Sequence, residues 1–469
     1  MYSLNKLDKT LYFIYLLSAI VAFWYWHVDE HYQIIEFASY KLGHTPVENL
    51  AWEFQSQMRS AILPFIAFII SKFTRMTSCF HPYLVGAICR VLSALFFAYV
   101  YLRLIAHLQI KKTGISYKIA IFFWILPTVM VRFSPESIGG SLFILGFLIM
   151  EESKGVKSKL DYLLVGLLWG LAFYIRMHIA ILIGVFIIYK LIYRTITFNT
   201  LAALFIGFLL STSIEIVLSY WLYGMAVWSP YNYFFENVIQ NKASHFGIMP
   251  WYYYFTETSK NLFYPIGILL WMGAGYFTVR FPKNILTWLF WSFILSHSLI
   301  GHKEYRFLFP IFPFFILMFV KSFETLTDSS WKKVLLKSFL ILNLVLLPSC
   351  ILIQSFKPLN WIKLYSLSNN YRIIYSNSPN PYALSPSFYH VRPYFWKHPS
   401  CQVIELRELD FLKDKDVSIY ISSKYLGNQI RINNKMLTKS FQTIPESINK
   451  KLPVSITNTI DYLYVYQKL

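Results

Sequence analysis

Four ionisable side chains, His302, Lys303, Glu304 and Arg306, crowd into one short stretch between two apolar runs, Ile285 to Ile300 and Phe307 to Val320. Charges beside membrane helices are costly and usually face a cavity or a partner. The simpler reading is a snorkelling basic cluster at a helix end. Such a cluster belongs on the cytoplasmic side, where Lys and Arg collect, whereas the loop pattern puts this one on the opposite side. A second concentration lies in residues 27–60, with Asp29, Glu30, Glu36, Glu48, Glu53, Trp52 and Arg59. Carboxylates of this kind can take a proton from a hydroxyl. By composition alone, Asp29 and Glu30 read equally as solvated acids capping the next helix. The turn Arg132-Phe133-Ser134-Pro135-Glu136-Ser137 pairs a cation with an acid, and a helix cap with one salt bridge explains it as well. In the stretch Asn241 to Tyr252, the aromatics around Trp251 suit either a membrane-interface belt or the stacking of a sugar ring.

The elements that must position these groups are membrane helices. The chain has 469 residues, 56% hydrophobic and 19% aromatic, with only 14% charged. Apolar runs of spanning length recur through its first three quarters. The sequence predicts an all-α polytopic membrane protein of about eleven spans, residues 1–356, followed by a small extramembrane α/β domain, residues 357–469. Predicted spans include Leu11–Trp26, Leu84–Ile105, Ile119–Val131, Ile138–Met150, Leu160–Ile175, Ile179–Tyr189, Leu201–Leu222, Leu262–Thr278, Ile285–Ile300, Phe307–Val320 and Val334–Ile353. Ala61 to Ile70, with Pro64 inside, reads as a short interfacial helix. Basic loops alternate with acidic or aromatic ones. His27–Arg59, Arg132–Ser137, Tyr223–Asn261, His302–Arg306 and the tail therefore share one non-cytoplasmic face. In the tail, Gln402–Leu406, Val417–Ile421 and Tyr462–Tyr466 read as strands, after a stretch broken by Pro379, Pro381, Pro386, Pro393 and Pro399. The net charge of +20 lies mainly in the short loops and the tail, which reads as topology rather than nucleic-acid binding. The four cysteines form no metal-type pair; a Cys79–Cys89 disulfide stays open.

The clusters resemble a known family. His302-Lys303-Glu304-Tyr305-Arg306-Phe307 is similar to the His-Lys-Glu-x-Arg-Phe signature of glycosyltransferase family 22, the glycosylphosphatidylinositol (GPI) and dolichol-oligosaccharide mannosyltransferases. His27-Val28-Asp29-Glu30 resembles the family's His-Pro-Asp-Glu motif, with Val28 in place of Pro. Gln33, Glu36, Trp52-Glu53-Phe54 and Arg59-Ser60 follow as they do in the family, with Ala51 where Thr is common. Arg132 with Glu136, and Arg176, resemble two further family turns, Met177 replacing Pro after Arg176. Asn241 to Tyr252 resembles a Gly-x-x-Pro segment with following aromatics. The resemblance runs from about His27 to Phe307.

That resemblance implies a GT-C fold and an inverting α-mannosyltransferase. The implied donor is dolichyl-phosphate mannose or a bacterial polyprenyl-phosphate sugar; the acceptor is a glycolipid or lipid-linked glycan. Asp29 is implied as the base, with Glu30 as its substitute or an acceptor-orienting group. Arg306, Lys303, Arg59 and Arg132 are implied to bind the donor phosphate or headgroup. His302, Glu304, Glu136, Trp52, Glu53 and Trp251 are implied to shape the site. No metal and no cofactor is implied, because a single lipid phosphate leaves. The expected location is the endoplasmic reticulum membrane, or the inner membrane of a bacterium, with the site on the lumenal or periplasmic face. The protein is expected to act as a monomer. Three alternatives stay open: a transferase of another lipid-linked sugar, a polytopic transporter and a non-catalytic scaffold. A transporter should carry ionisable residues at mid-membrane depth, and Glu215 is the one clear acid deep inside a predicted span.

Overall fold

The computed structural model describes residues 4–21, 25–112, 114–152, 158–326, 329–376, 395, 397, 401–405, 418–422, 425–432, 435–442 and 464–468. These residues form two compact units. One comprises Met1–Ile20, Ser56–Ile66 and Ile88–Cys350, and the other Val21–Gln55, Ala67–Ala87 and Ile351–Leu469.

The first unit is helical. Its apolar runs fold as helices because backbone groups flanked by apolar side chains must bond within their own segment. Helices Pro135–Glu151, Lys159–Ile175, Ile179–Ile192, Phe198–Tyr223, Tyr264–Arg280 and Ile285–Leu299 follow the sequence expectation closely. Among the described residues of the whole chain, four helical segments are long and apolar enough to cross a membrane: Pro82–His107, Phe198–Tyr223, Tyr305–Thr325 and Ser330–Ile351. On Phe198–Tyr223, Phe205, Val217 and Tyr220 are exposed while Ser211, Glu215 and Ser219 are buried. That is the arrangement of a helix with an apolar outer face and polar groups turned inward.

Small residues set how closely the helices approach. A Cβ on Gly166 would lie 2.1 Å from the Leu204 carbonyl oxygen, and one on Gly207 would lie 2.1 Å from that of Leu163. Lys159–Ile175 and Phe198–Tyr223 therefore pack backbone against backbone, as small residues permit in membrane helices. Gly140 does the same for the site. A Cβ there would lie 2.8 Å from Pro310 Cα, so the missing side chain lets Pro135–Glu151 rest on the 3-10 turn Tyr305–Ile311.

Three segments differ from the sequence reading. The expected span Ile119–Val131 is broken into Ile115–Ile121 and Leu126–Val129. Pro127 lacks an N–H and its ring would clash with the carbonyl four residues back, so one helix cannot run through it. The Trp124 N–H, released from the helical ladder, donates to Asn343 Oδ1 at 3.2 Å. Ala61–Ile70 becomes the 15-residue helix Ile62–Met76, with Pro64 in the first turn, where N–H groups have no intrahelical partner to lose. The last apolar run is part of a 41-residue helix, Ser330–Asn370.

The second unit carries a mixed six-stranded sheet, ordered β2-β1-β3-β6-β5-β4. The strands are β1 Ile373–Ser376, β2 Gln402–Glu405, β3 Ile419–Ser422, β4 Gln429–Ile432, β5 Lys435–Gln442 and β6 Tyr464–Gln467. β1 pairs in parallel with β2 and β3, and the remaining pairs are antiparallel. Tyr375, Tyr420, Ile430, Ile432, Leu437 and Tyr466 pack as its core. Three strands match the expected ones; β1, β4 and β5 were not expected. Leu406, Val417, Tyr462 and Leu463 of the expected strands, and the five prolines from Pro379 to Pro399, lie outside the described residues. None of the four cysteines is in a disulfide, so the Cys79–Cys89 bond is not formed.

Candidate active site

In the first unit the structure joins side chains from three separate turns into one ionic chain. Ser134 caps Pro135–Glu151 by accepting the Ser137 N–H at 3.2 Å, and Pro135 occupies the first helical position, which suits its fixed φ. The cap of the simpler sequence reading is thus present. Its Glu136, however, also pairs by charge with two arginines. Glu136 Oε1 lies 3.2 Å from Arg176 Nη2 and 3.7 Å from Arg306 Nη1, with side-chain exposures of 2%, 6% and 8% respectively. Arg306 Nε donates to Glu304 Oε2 at 2.5 Å. The other oxygen of Glu304 is 3.0 Å from His302 Nε2, whose Nδ1 is 3.1 Å from the Gly247 carbonyl. Both Arg176 and Arg306 lie over the Phe307 ring, at 4.8 and 5.7 Å. The order is Arg176–Glu136–Arg306–Glu304–His302, alternating in sign as far as Glu304 and ending on the imidazole. Opposite charges held this close satisfy one another where solvent is excluded. The hydrogen bond to Glu304 raises the His302 pKa above its ordinary value, against the lowering effect of burial.

Lys303 is buried, and its ammonium donates to the carbonyls of Met249 and Ile300 at 2.9 and 2.5 Å. It ties the Asn241–Tyr252 stretch to the signature turn, as does the Met249 N–H donating to Gly301 O at 3.0 Å. Burial lowers its pKa. Trp251 is 67% exposed and meets Tyr252 and Phe255 edge-on. Arg59 lies 5.7 Å over the Tyr233 ring. The fully buried Arg132 donates from Nε to the Thr128 carbonyl at 3.0 Å, at the end of Leu126–Val129. Glu215 accepts from Ser60 Oγ at 2.7 Å, the Ala61 N–H at 3.2 Å and Ser229 Oγ at 3.4 Å. That makes it a satisfied structural acid. Arg176 carries more of this cluster than its local motif suggests, since Met177 replaces the Pro that would have marked it.

In the second unit the acids of the first loop divide. Glu30 is buried, and its Oε1 accepts the N–H groups of Trp26 at 3.0 Å and His27 at 3.2 Å. It closes the turn on which Asp29 stands. Glu36 accepts from His31 Nε2 at 2.7 Å, Thr45 Oγ1 at 2.5 Å and the Phe395 N–H at 3.1 Å. Glu53 accepts from Gln33 Nε2 at 2.8 Å, and Trp52 beside it is half-buried. Asp29 keeps 20% of its side chain exposed, with Oδ2 3.5 Å from His27 Nδ1. The next turn, His31–Ile35, is a π-helix, a form met mostly as single turns and often at functional sites. Among the described residues, no group of three or more His, Cys, Asp or Glu is disposed to hold a metal ion.

The arrangement is that of a polytopic helical membrane protein with buried charge at its helix ends. Its fold is shared with ArnT from Cupriavidus metallidurans, a structure determined with undecaprenyl phosphate bound. The match covers 99% of this chain and 97% of ArnT, with a TM-score of 0.58 and 9% identity. The chain belongs to the Alg9-like mannosyltransferase family, which it matches over residues 9–366. It is 26% identical over 315 residues to GPI mannosyltransferase 3 of Candida albicans, covering 66% of this chain and 62% of that protein. It is also 26% identical over 334 residues to GPI alpha-1,2-mannosyltransferase 3 of Bos taurus, covering 68% and 58%. A third relative is the probable Dol-P-Man:Man(7)GlcNAc(2)-PP-Dol alpha-1,6-mannosyltransferase of Schizosaccharomyces pombe, 28% identical over 174 residues, covering 37% and 32%. The matched regions span about three fifths of the length of the first two relatives.

Proposed function

We propose that this protein moves one mannose from a polyprenyl-phosphate donor to a hydroxyl of a lipid-linked glycan, on the non-cytoplasmic face of its membrane, with inversion at the anomeric carbon. The acceptor oxygen bonds to that carbon as its bond to the phosphate oxygen breaks. The hydroxyl proton passes to Asp29, and the electron pair leaves with the lipid phosphate. Asp29 is the general base. Arg306 and Lys303 supply positive charge for the phosphate, with Arg132 retained from the sequence reading, and Arg59, with Arg176 added, binds the sugar headgroup. His302, Glu304 and Glu136 hold the guanidiniums in place. The sheet of the second unit belongs to a small α/β domain.

The observation that carries this reading is the division among the first-loop acids. Glu30, Glu36 and Glu53 accept from internal donors, while Asp29 and Glu48 keep solvent access, and of these two only Asp29 stands in the His-x-Asp-Glu stretch that the family resemblance marks. A base must reach a substrate proton; an acid that fastens its own loop does not. The Schizosaccharomyces pombe relative is named for a Dol-P-Man donor, which favours dolichyl-phosphate mannose over other lipid-linked sugars. The test is transfer by the purified full chain in nanodiscs, from dolichyl-phosphate mannose to GPI precursors, N-glycan precursors and bacterial envelope glycolipids. An α-mannosylated product with one acceptor class is expected. Transfer only from a different polyprenyl-phosphate sugar would move the assignment to a transferase of another lipid-linked sugar.

A further inference from the structure

We infer that Tyr233 contacts substrate in the transfer reaction, its hydroxyl held as an acceptor for one sugar hydroxyl by a hydrogen-bond chain through His178 and His297. This rests on the mannosyl-transfer reading and adds a residue that none of the sequence motifs contains. The chain has one direction. The Phe293 carbonyl can only accept, so His297 Nδ1, 2.8 Å away, carries the proton and Nε2 is a lone pair. His178 Nδ1 faces that lone pair at 3.2 Å and donates to it. His178 Nε2 is then an acceptor, and the Tyr233 hydroxyl, 2.9 Å away, donates its single proton inward.

Both rings must be neutral for this pattern. Burial, and then the nearby Arg176, His297, Arg59 and Arg306, hold the His178 pKa well below the ordinary value. Tyr233 and His178 line a notch with Arg59, Ser60, Tyr174 and Arg176, with room for about one hydroxyl or water. Tyr233 offers the notch lone pairs, and the two guanidiniums offer only donors. A group that donates and accepts at once, a hydroxyl, fits both; a phosphate oxygen, which only accepts, would oppose Tyr233.

The test uses the full chain in nanodiscs with dolichyl-phosphate mannose and its acceptor. Tyr233→Phe and His178→Leu should each lower kcat/KM about tenfold, the effect of one neutral hydrogen bond. The double variant should be no worse than either alone. His178→Gln, whose amide oxygen can accept the Tyr233 proton, should stay near wild type. A Tyr233→Phe enzyme at the wild-type rate, or a double variant whose losses multiply, overturns the inference. The ring ¹⁵N shifts of His178 read the chain without activity: a protonated Nδ1 and bare Nε2 are expected, and the reverse tautomer overturns it. Those shifts decide if His178→Leu unfolds. If wild type itself transfers no mannose, the functional reading fails and the shifts judge the chain separately.

Discussion

Glu136→Gln tests the ionic chain at its centre. The substitution keeps the side chain's volume and removes the one carboxylate lying between Arg176 and Arg306. All three groups are more than nine-tenths buried, so solvent cannot replace the lost charge. Removing one partner of a buried pair costs about 3–5 kcal/mol, because the remaining charge stays buried and uncompensated. The amide oxygen of Gln keeps a partial negative charge beside Arg176, and Glu304 still binds Arg306, so the low end, about 3 kcal/mol, is expected. The assay is equilibrium unfolding in mixed micelles titrated with SDS, read beside thermal unfolding of the same samples. Removing the stranded cation should restore stability: Glu136→Gln with Arg176→Gln should recover most of the loss, since a pair deleted together leaves no orphan charge. Wild-type stability in the single variant, or a double variant worse than the single, would refute the reasoning.

Two further outcomes follow from the same cluster. His302 has its pKa raised in the folded protein, chiefly by Glu304. Its contribution to stability is therefore fully present below the unfolded imidazole pKa, about 6.5, and is lost as pH rises through the folded value. Unfolding from pH 5.5 to 8.5 should show that loss, and Glu304→Gln should flatten it; an unchanged slope in Glu304→Gln would contradict the assignment. Arg306→Lys keeps the charge but loses the fork that reaches Glu304 with Nε and Glu136 with Nη1. Donor KM should rise severalfold, and unchanged kinetics in Arg306→Ala would remove the residue from the site.

Much of the helical frame was legible in the sequence, because apolar run length is itself the signal that a helix can meet lipid. Lys159–Ile175 and Ile285–Leu299 lie almost where the runs end. Hydropathy measures affinity for lipid and not helicity, which is why it ran one span, Ile119–Val131, through the break between Ile115–Ile121 and Leu126–Val129. It also ended the last run near Ile353, although the helix continues to Asn370. Strand length does not separate the missed strands from the expected ones, since β1 and β4 have four residues like β2, β3 and β6, and β5 has eight; pairing across the sheet defines all three missed strands. At the site, the signature turn and the first-loop acids were legible as motifs. The separation of Glu30 from Asp29 was not, because two backbone N–H groups decide it. His178, Tyr233 and His297 meet across 55 and 119 positions of sequence, and no local spacing announces them.

The central claim, that Asp29 takes the acceptor proton, is tested most directly by single-turnover transfer from bound dolichyl-phosphate mannose in Asp29→Asn and Glu30→Gln. Asn keeps the size of the side chain and loses its basicity. Loss of a general base costs about a hundred- to ten-thousandfold in rate. The account predicts a loss in that range for Asp29→Asn with donor binding nearly unchanged. It predicts a much smaller loss for Glu30→Gln, whose amide oxygen can still accept the Trp26 and His27 N–H groups. An Asp29→Asn enzyme that turns over at the wild-type rate would contradict it.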